Sequence, residues 1–309
     1  MCLALAVVWA STWSGIPSVA NGAVLAAAGD IACDPDDPYF NGGRGVRRNC
    51  RQLATSRLLR GADRVVPLGD TQYEHSNLRN FRRSYDRSWG RYLRVSRPVV
   101  GNHEYGPPRR PNLGARDYWR YFGERRAGQR GKGWYSFDLG AWHVVGLNSM
   151  CRSSHKPRFM QREVGCGRGS AQQRWLERDL AANGRRCILA SWHHPRFASG
   201  SDDWREVAPL WRTLQNNGAD VVLSGHAHAY ERFARQSATG GRTAKGMRQF
   251  VVGTGGASLA GPPGDVEPHS KKRARSFGVL RLQLKPGRYR WKFVRTGGRA
   301  LDRGSTSCR

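Results

Sequence analysis

Five short apolar runs, each stopping at a glycine- or histidine-led polar cluster, constrain this chain more than any other feature. Val24–Ala28 runs into Gly29-Asp30, Arg64–Leu68 into Gly69-Asp70, and Pro98–Val100 into Gly101-Asn102-His103-Glu104. Cys187–Trp192 runs into His193-His194, and Val221–Ser224 into Gly225-His226-Ala227-His228. Short apolar or β-branched runs without alternation suit strands covered on both faces. Helical patterns fall between them at Arg51–Arg60, Leu78–Trp89, Ser170–Ala182 and Trp204–Asn216. In the third of these, Ser170 can cap, while Trp175, Leu176 and Leu180 keep helical spacing. Trp134–Asp138 and Trp142–Leu147 read as a strand pair turned at Leu139-Gly140, and Val279–Lys285 with Tyr289–Arg295 as a hairpin around Pro286-Gly287. Alternating strands and helices followed by paired strands predict a layered α/β sandwich. Ligands bind open α/β sheets beyond the carboxyl ends of the strands, where all five clusters lie.

With 309 residues and 39% hydrophobic content, the chain can build one large domain and its core. The basic residues, mostly Arg, give a net charge of +29, a field that attracts phosphate esters, nucleic acid, acidic polymers or anionic membrane. They are scattered, apart from a short cluster at Lys271, Lys272, Arg273 and Arg275. This fits general surface charge better than a dedicated nucleic-acid arm. Residues 1–20 read as an export signal: Leu3–Trp13 is mostly apolar, and Ser18-Val19-Ala20 offers a small-residue cleavage site. The stretch is too short and too interrupted for a stable membrane span. The sequence thus predicts a secreted or periplasmic protein with one domain over 22–309, whose strands at 278–295 belong to the sandwich. Six cysteines then remain, suggesting disulfides. Closeness in sequence favours Cys33–Cys50 and Cys151–Cys166, and Cys187–Cys308 follows by elimination. Metal ligation by these cysteines is the rival reading, but no CxxC pair is present.

The clusters carry oxygen and imidazole donors: Asp30, Asp70, Asn102, His193, His226 and His228. Such donors suit zinc, iron or manganese. Two cations about 3.5–4 Å apart can clamp the attacking and leaving oxygens of a phosphoryl group, and a bridging carboxylate would hold them that close. Alone, each motif is weak; a Gly-Asp pair is a common turn. The ordered series GD, GDxxY, GNHE, HHP and GHAHAYER is far more specific.

That series resembles the calcineurin-like metallophosphoesterases over roughly residues 22–295, closest to the purple acid phosphatases. Most members of the superfamily begin with Asp-x-His, whereas here Asp30 is followed by Ile31-Ala32. Gly69-Asp70-Thr71-Gln72-Tyr73 instead resembles the GDxxY of purple acid phosphatases, where a tyrosine replaces the missing histidine as a phenolate ligand to ferric iron. The resemblance implies a four-layer α/β/β/α metallophosphoesterase sandwich with a dinuclear site at the carboxyl ends of the strands. It implies that Asp30, Asp70, Tyr73 and His228 bind a first metal, that Asp70 bridges, and that Asn102, His193 and His226 complete the second. The metal pair would be Fe3+ with Zn2+, Fe2+ or Mn2+. His103 would stay off the metals, facing the substrate and protonating the leaving oxygen, with Glu104 orienting it. His194 would be an extra imidazole able to touch substrate. His75, His143 and His155 lack motif support and read as surface or structural. The family's long N-terminal β domain, found in plant enzymes, has no counterpart here, so the chain resembles a short bacterial form.

The implied activity is hydrolysis of phosphate monoesters by in-line attack of a metal-bound hydroxide on a small-molecule substrate. Two alternatives stand beside it. The first is a phosphodiesterase acting on nucleotides or nucleic acid, motivated by the charge. The second is a basic binding protein with a structural metal site. Structural sites tend to have every position filled by protein, whereas about seven ligands for two metals leave room for water.

Overall fold

The computed structural model describes residues 22–106, 113–151, 165–184, 187–200, 203–260 and 264–309. The expected export signal at 1–20 and His155 lie outside the described residues. Two sheets form the centre. One has the order β12-β11-β10-β1-β2, the other β3-β4-β5-β6-β8-β7-β9. The first contains β1 (Ala23–Ala28), β2 (Arg64–Pro67), β10 (Gly278–Lys285), β11 (Arg288–Arg295) and β12 (Ala300–Ser307). The second contains β3 (Tyr135–Leu139), β4 (Trp142–Gly146), β5 (Cys187–Ser191), β6 (Val221–Ser224), β7 (Tyr230–Gln236), β8 (Met247–Val252) and β9 (Ser270–Ala274). Parallel pairing joins β1 to β2 and runs through β4, β5, β6 and β8, so these strands end on the same edge of their sheets.

Strand periodicity explains the layers. Leu189, Val221, Leu223, Phe250 and Val252 pack in one core with Leu25, Leu280, Leu282 and Leu284 of the other sheet. The alternate residues Ile188, Ala190, Val222 and Val251 pack instead with Leu176, Leu180, Leu210, Trp211 and Leu214. Successive side chains on a strand point to opposite faces, so one sheet meets the other sheet on one side and helices on the other. Those helices are Ala171–Ala182 and Ala208–Asn216. The first begins as expected, with Ser170 accepting from the Gln173 amide. The helical segments at 52–59 and 78–95 accompany the first sheet; Arg281 of β10 donates to the Leu58 carbonyl at 2.6 Å. The architecture is the expected α/β/β/α sandwich.

Three expectations need correction. Pro98–Val100 is not a named strand; Ser96 and Val99 form only isolated parallel bridges to Val65 and Leu68. The helix expected over Leu78–Trp89 breaks into Leu78–Asn80, a π turn over Phe81–Tyr85 and a 3-10 stretch at Trp89–Val95. The Ser88 hydroxyl donates to the Ser84 and Tyr85 carbonyls, a local competitor of the regular ladder. The helix expected over Arg51–Arg60 is an α segment, Gln52–Ser56, followed by a 3-10 turn.

All three expected disulfides form: Cys33–Cys50, Cys151–Cys166 and Cys187–Cys308. The last fastens the C-terminus to the amino end of β5, where buried Asp220 also accepts from the Arg309 and Ile188 amides. A second clasp joins the sheets. Asp302 of β12 accepts from Arg232 Nε at 2.6 Å and the Tyr230 hydroxyl at 2.6 Å, both on β7. Burial opposes the Asp302 charge, but the Arg232 guanidinium and these hydrogen bonds hold its carboxyl below the usual range. A carboxylate with a depressed folded-state pKa adds stability above its unfolded value, and that stability is lost as pH falls through the folded value. Asp302→Asn, which strands the Arg232 charge, should cost about 3 kcal/mol at pH 7. Urea denaturation should show this deficit constant from pH 7 to 5 and shrinking below about pH 4. A deficit that grows on acidification would contradict the clasp.

Candidate active site

The strand ends deliver their side chains through an unusual backbone. Asp30 and Asp70, each two or three residues past its strand, have φ of 60° and 47°; His226 and His228, past β6, have 71° and 45°. Residues with a Cβ rarely adopt this left-handed region, and such outliers cluster at functional sites. The two acidic loops support one another: the Asp30 amide donates to the Gly69 carbonyl (3.1 Å) and the Ile31 amide to the Asp70 carbonyl (2.9 Å). Packing is too tight for side chains at two glycines. A methyl group on Gly101 would strike Asp70 Oδ1, and one on Gly69 would strike the His193 ring.

All seven expected ligands converge. Asp30 Oδ1 lies 2.8 Å from the Tyr73 hydroxyl and 3.3 Å from His228 Nε2, which is itself 2.9 Å from that hydroxyl. Asp70 Oδ2 lies 3.1 Å from the Tyr73 hydroxyl and 3.2 Å from His193 Nε2. His193 Nε2 is 3.0 Å from Asn102 Oδ1 and 3.2 Å from His226 Nδ1. One carboxylate oxygen of Asp70 therefore stands between two groups of donors.

Proton counting tests whether these groups suit cations. A carbonyl only accepts, so His193 Nδ1–H donates to the Leu68 carbonyl at 2.8 Å. Nε2, facing Asn102 Oδ1, Asp70 Oδ2 and a ring nitrogen, is then the position that holds a second proton or, once a cation takes that proton's place, offers a lone pair to it. The Tyr73 hydroxyl has one proton for three acceptors. Each group holds more lone pairs than hydrogens, a donor set made for a positive ion. Charge says the same. Asp30 and Asp70 are 0% and 1% exposed, and among the described residues neither pairs with Lys or Arg. Buried charges are normally paired or bound to metal. Burial opposes the imidazolium of His193, yet Asp70 pushes its pKa up to about 9. Burial, then the charge of His193, pushes His226 down to about 4. Burial, then Asp30 and Asp70, raises the Tyr73 phenol well above its usual value. A phenolate there needs a cation beside it.

His103 sits on the short helix Asn102–Tyr105, its amide donating to Asp70 Oδ1 at 2.8 Å. Its ring packs on Tyr73 with centroids 4.2 Å apart, and its Nδ1–H donates to the Glu74 carbonyl at 3.1 Å. Glu104 does not hold that ring directly, contrary to expectation. Its carboxylate accepts from the amides of Asp70 (3.0 Å), Thr71 (2.7 Å) and Gly101 (2.7 Å) and from the Thr71 hydroxyl (2.7 Å). Fully buried, it ties the Asp70 turn to the helix that carries Asn102 and His103. His194 is also buried. Its Nδ1 meets the Ser149 hydroxyl at 2.9 Å, its ring stacks on Trp204 at 4.3 Å, and it groups with His193 and His226. His143 stands apart, bonded to Asp138 and Asp179.

Sequence reasoning missed several supports. Ser258, 2.8 Å from His228 Nδ1, follows the glycine-rich end of β8. Recognising β8 as a strand would have exposed that end to the same rule that found the others. Ser149, Thr71, Glu74 and Trp204 carry no motif.

The calcineurin-like phosphoesterase family model matches residues 23–230. Purple acid phosphatase 22 of Arabidopsis thaliana is 31% identical over 176 residues, covering 52% of this chain and 37% of that protein. Human acid phosphatase type 7 is 26% identical over 264 residues, covering 73% of this chain and 56% of that one. The chain spans well under two thirds of the length of the plant relatives it matches. Among solved structures, the purple acid phosphatase PPD1 of yellow lupin superposes with a TM-score of 0.66 at 18% identity, covering 92% of this chain and 53% of that one. GAP50, the anchor in the inner membrane complex of Plasmodium, gives 0.62 at 15% identity, covering 93% and 89%. These two share the fold. Motif order, the convergence of donors on Asp70 and the family match over two thirds of the residues agree: this chain belongs to the calcineurin-like phosphoesterase family, and within it is similar to the purple acid phosphatases.

Proposed function

We propose that the chain hydrolyses phosphate monoesters at a dinuclear metal centre. The observation that carries this reading is the position of Asp70 Oδ2 between the Tyr73 hydroxyl and His193 Nε2. Asp30, Asp70, Tyr73 and His228 would hold one cation, and Asp70, Asn102, His193 and His226 the other. Tyr73 favours Fe3+ at the first position, with Zn2+, Fe2+ or Mn2+ at the second. Bound there, two cations supply Lewis acidity, making water more acidic and offsetting charge on the phosphoryl oxygens.

The protein's own part is orientation and proton delivery. Because Nδ1–H of His103 is spent on the Glu74 carbonyl, a second proton on this ring sits at Nε2, 3.9 Å from Asp70 Oδ2. Nε2 can then pass that proton to the departing alkoxide oxygen. Glu104 keeps His103 and Asp70 in register through backbone amides. His194 groups with His193 and His226, where it would be a grip for a phosphoryl oxygen. Three disulfides fit an oxidising compartment, which supports a secreted or periplasmic location. No helix among the described residues is long and apolar enough to cross a membrane.

The net charge of +29 favours one second reading, a phosphodiesterase acting on nucleotides or nucleic acid.

Two variants separate metal binding from proton transfer. Asp70→Asn should lose both bound metal and turnover of 4-nitrophenyl phosphate. His103→Ala should keep its metal while losing about 10²–10⁴ in kcat. Equal metal loss in the two variants would contradict these roles, and full metal with no ester hydrolysed would favour a binding protein. Against bis(4-nitrophenyl) phosphate, the monoester should lead in kcat/KM by at least about tenfold. A lead for the diester would transfer the assignment to the second reading.

A further inference from the structure

A cleft of about 370 Å³ opens directly from the catalytic side chains, with Tyr73, His103 and His228 in its wall. Its volume is at the lower end of the range of about 300–1,000 Å³ typical of ligand sites. The loop closed by the Cys33–Cys50 disulfide also lines it, through Asp37, Tyr39 and Asn49. Glu74 stands at the rim, its carboxylate 3.5 Å from His103 Nδ1.

The sign of this wall is opposite to that of the molecule. The chain carries 52 Lys and Arg residues against 23 Asp and Glu, yet among the described residues no Lys or Arg lines the cleft, while two carboxylates do. Three cations close in sequence or space have partners outside the cleft lining. Arg79 and Arg83 pair with Asp36, and the Arg51 guanidinium donates to the Arg44 and Arg47 carbonyls. Among the described residues Asp37 has no ion-pair partner. Its carboxylate is nonetheless fixed: Oδ1 accepts from the Tyr39 amide at 2.7 Å, and the group lies within 4.8 Å of both disulfide sulfurs. Beside it Tyr39 is 38% exposed, a large aromatic ring left open to solvent. An aromatic ring open to solvent attracts an ammonium group through its π face, and a fixed carboxylate beside it adds a complementary charge.

Resting on the phosphomonoesterase reading, we infer that this cleft receives the alcohol portion of the substrate and selects a small cationic one, an amino-alcohol phosphate of the phosphocholine or phosphoethanolamine kind. His103 sits where the cleft meets the donors, so the group leaving beside it enters the acidic pocket. The phosphoryl end remains with the cations. Nucleotides fit poorly on both counts, since they are larger and bring further negative charge.

The metal-loaded full chain should be assayed with phosphocholine, glycerol 3-phosphate and AMP. The expected order of kcat/KM is phosphocholine first, above glycerol 3-phosphate by about tenfold, which is about 1.4 kcal/mol. Asp37→Asn and Tyr39→Leu touch none of the candidate ligands. Each should bring that ratio toward one by lowering kcat/KM on phosphocholine more than on glycerol 3-phosphate, and Tyr39→Leu tests the aromatic face by itself should the Asp37 turn not tolerate change. A ratio near one in the unmodified protein, or a ratio neither variant alters, overturns the inference and leaves the phosphatase reading intact. Absence of hydrolysis of all three monoesters, together with 4-nitrophenyl phosphate, would instead overturn the reading beneath it.

Discussion

Two carboxylates, Asp30 and Asp70, lie wholly inside the protein with no Lys or Arg among the described residues to neutralise them. Transferring such charges from water costs several kcal/mol each unless they are compensated. Much of the surrounding structure answers that demand. Four imidazoles and a phenol converge on them, the His226 amide donates to Asp30 Oδ2 at 2.8 Å, and the His103 amide donates to Asp70 Oδ1 at 2.8 Å. The left-handed backbone at Asp30, Asp70, His226 and His228 turns these groups inward. Glu104, itself buried, bonds the Asp70 turn to the Asn102 helix, so two loops far apart in sequence move as one.

The same parts of the chain that were easiest to read are the ones that build the site. Fully buried strands such as Val221–Ser224 announce themselves as apolar runs, and their ends are marked by residues with no packing use. The disulfides followed from loop closeness and an even count. Edge strands were harder. β12 reads ALDRGSTS and β9 reads SKKRA, with no apolar alternation to reveal either, because each meets solvent along much of its length. β7 was hidden for another reason: its bulge after Arg232 and the buried pairing of Arg232 with Asp302 bring polar residues into strand positions. The supports of the site were least visible. Leu68 acts through its carbonyl and Glu104 through amides three and more residues away, and neither contact has a residue-type signature.

Charge is organised on two scales. The molecule as a whole is strongly cationic, which draws phosphate-bearing solutes to its surface. At the mouth of the site, the described charged side chains that line the cleft, Asp37 and Glu74, are both acidic. Long-range attraction can thus be general while selection at short range depends on a few fixed groups, Asp37 and Tyr39 foremost.

Metal analysis of protein purified from an oxidising compartment, combined with its visible spectrum, tests the central claim most directly. The account predicts two bound ions per chain and a tyrosinate-to-ferric absorption band that disappears in Tyr73→Phe. A single ion, or a spectrum indifferent to Tyr73, would contradict it.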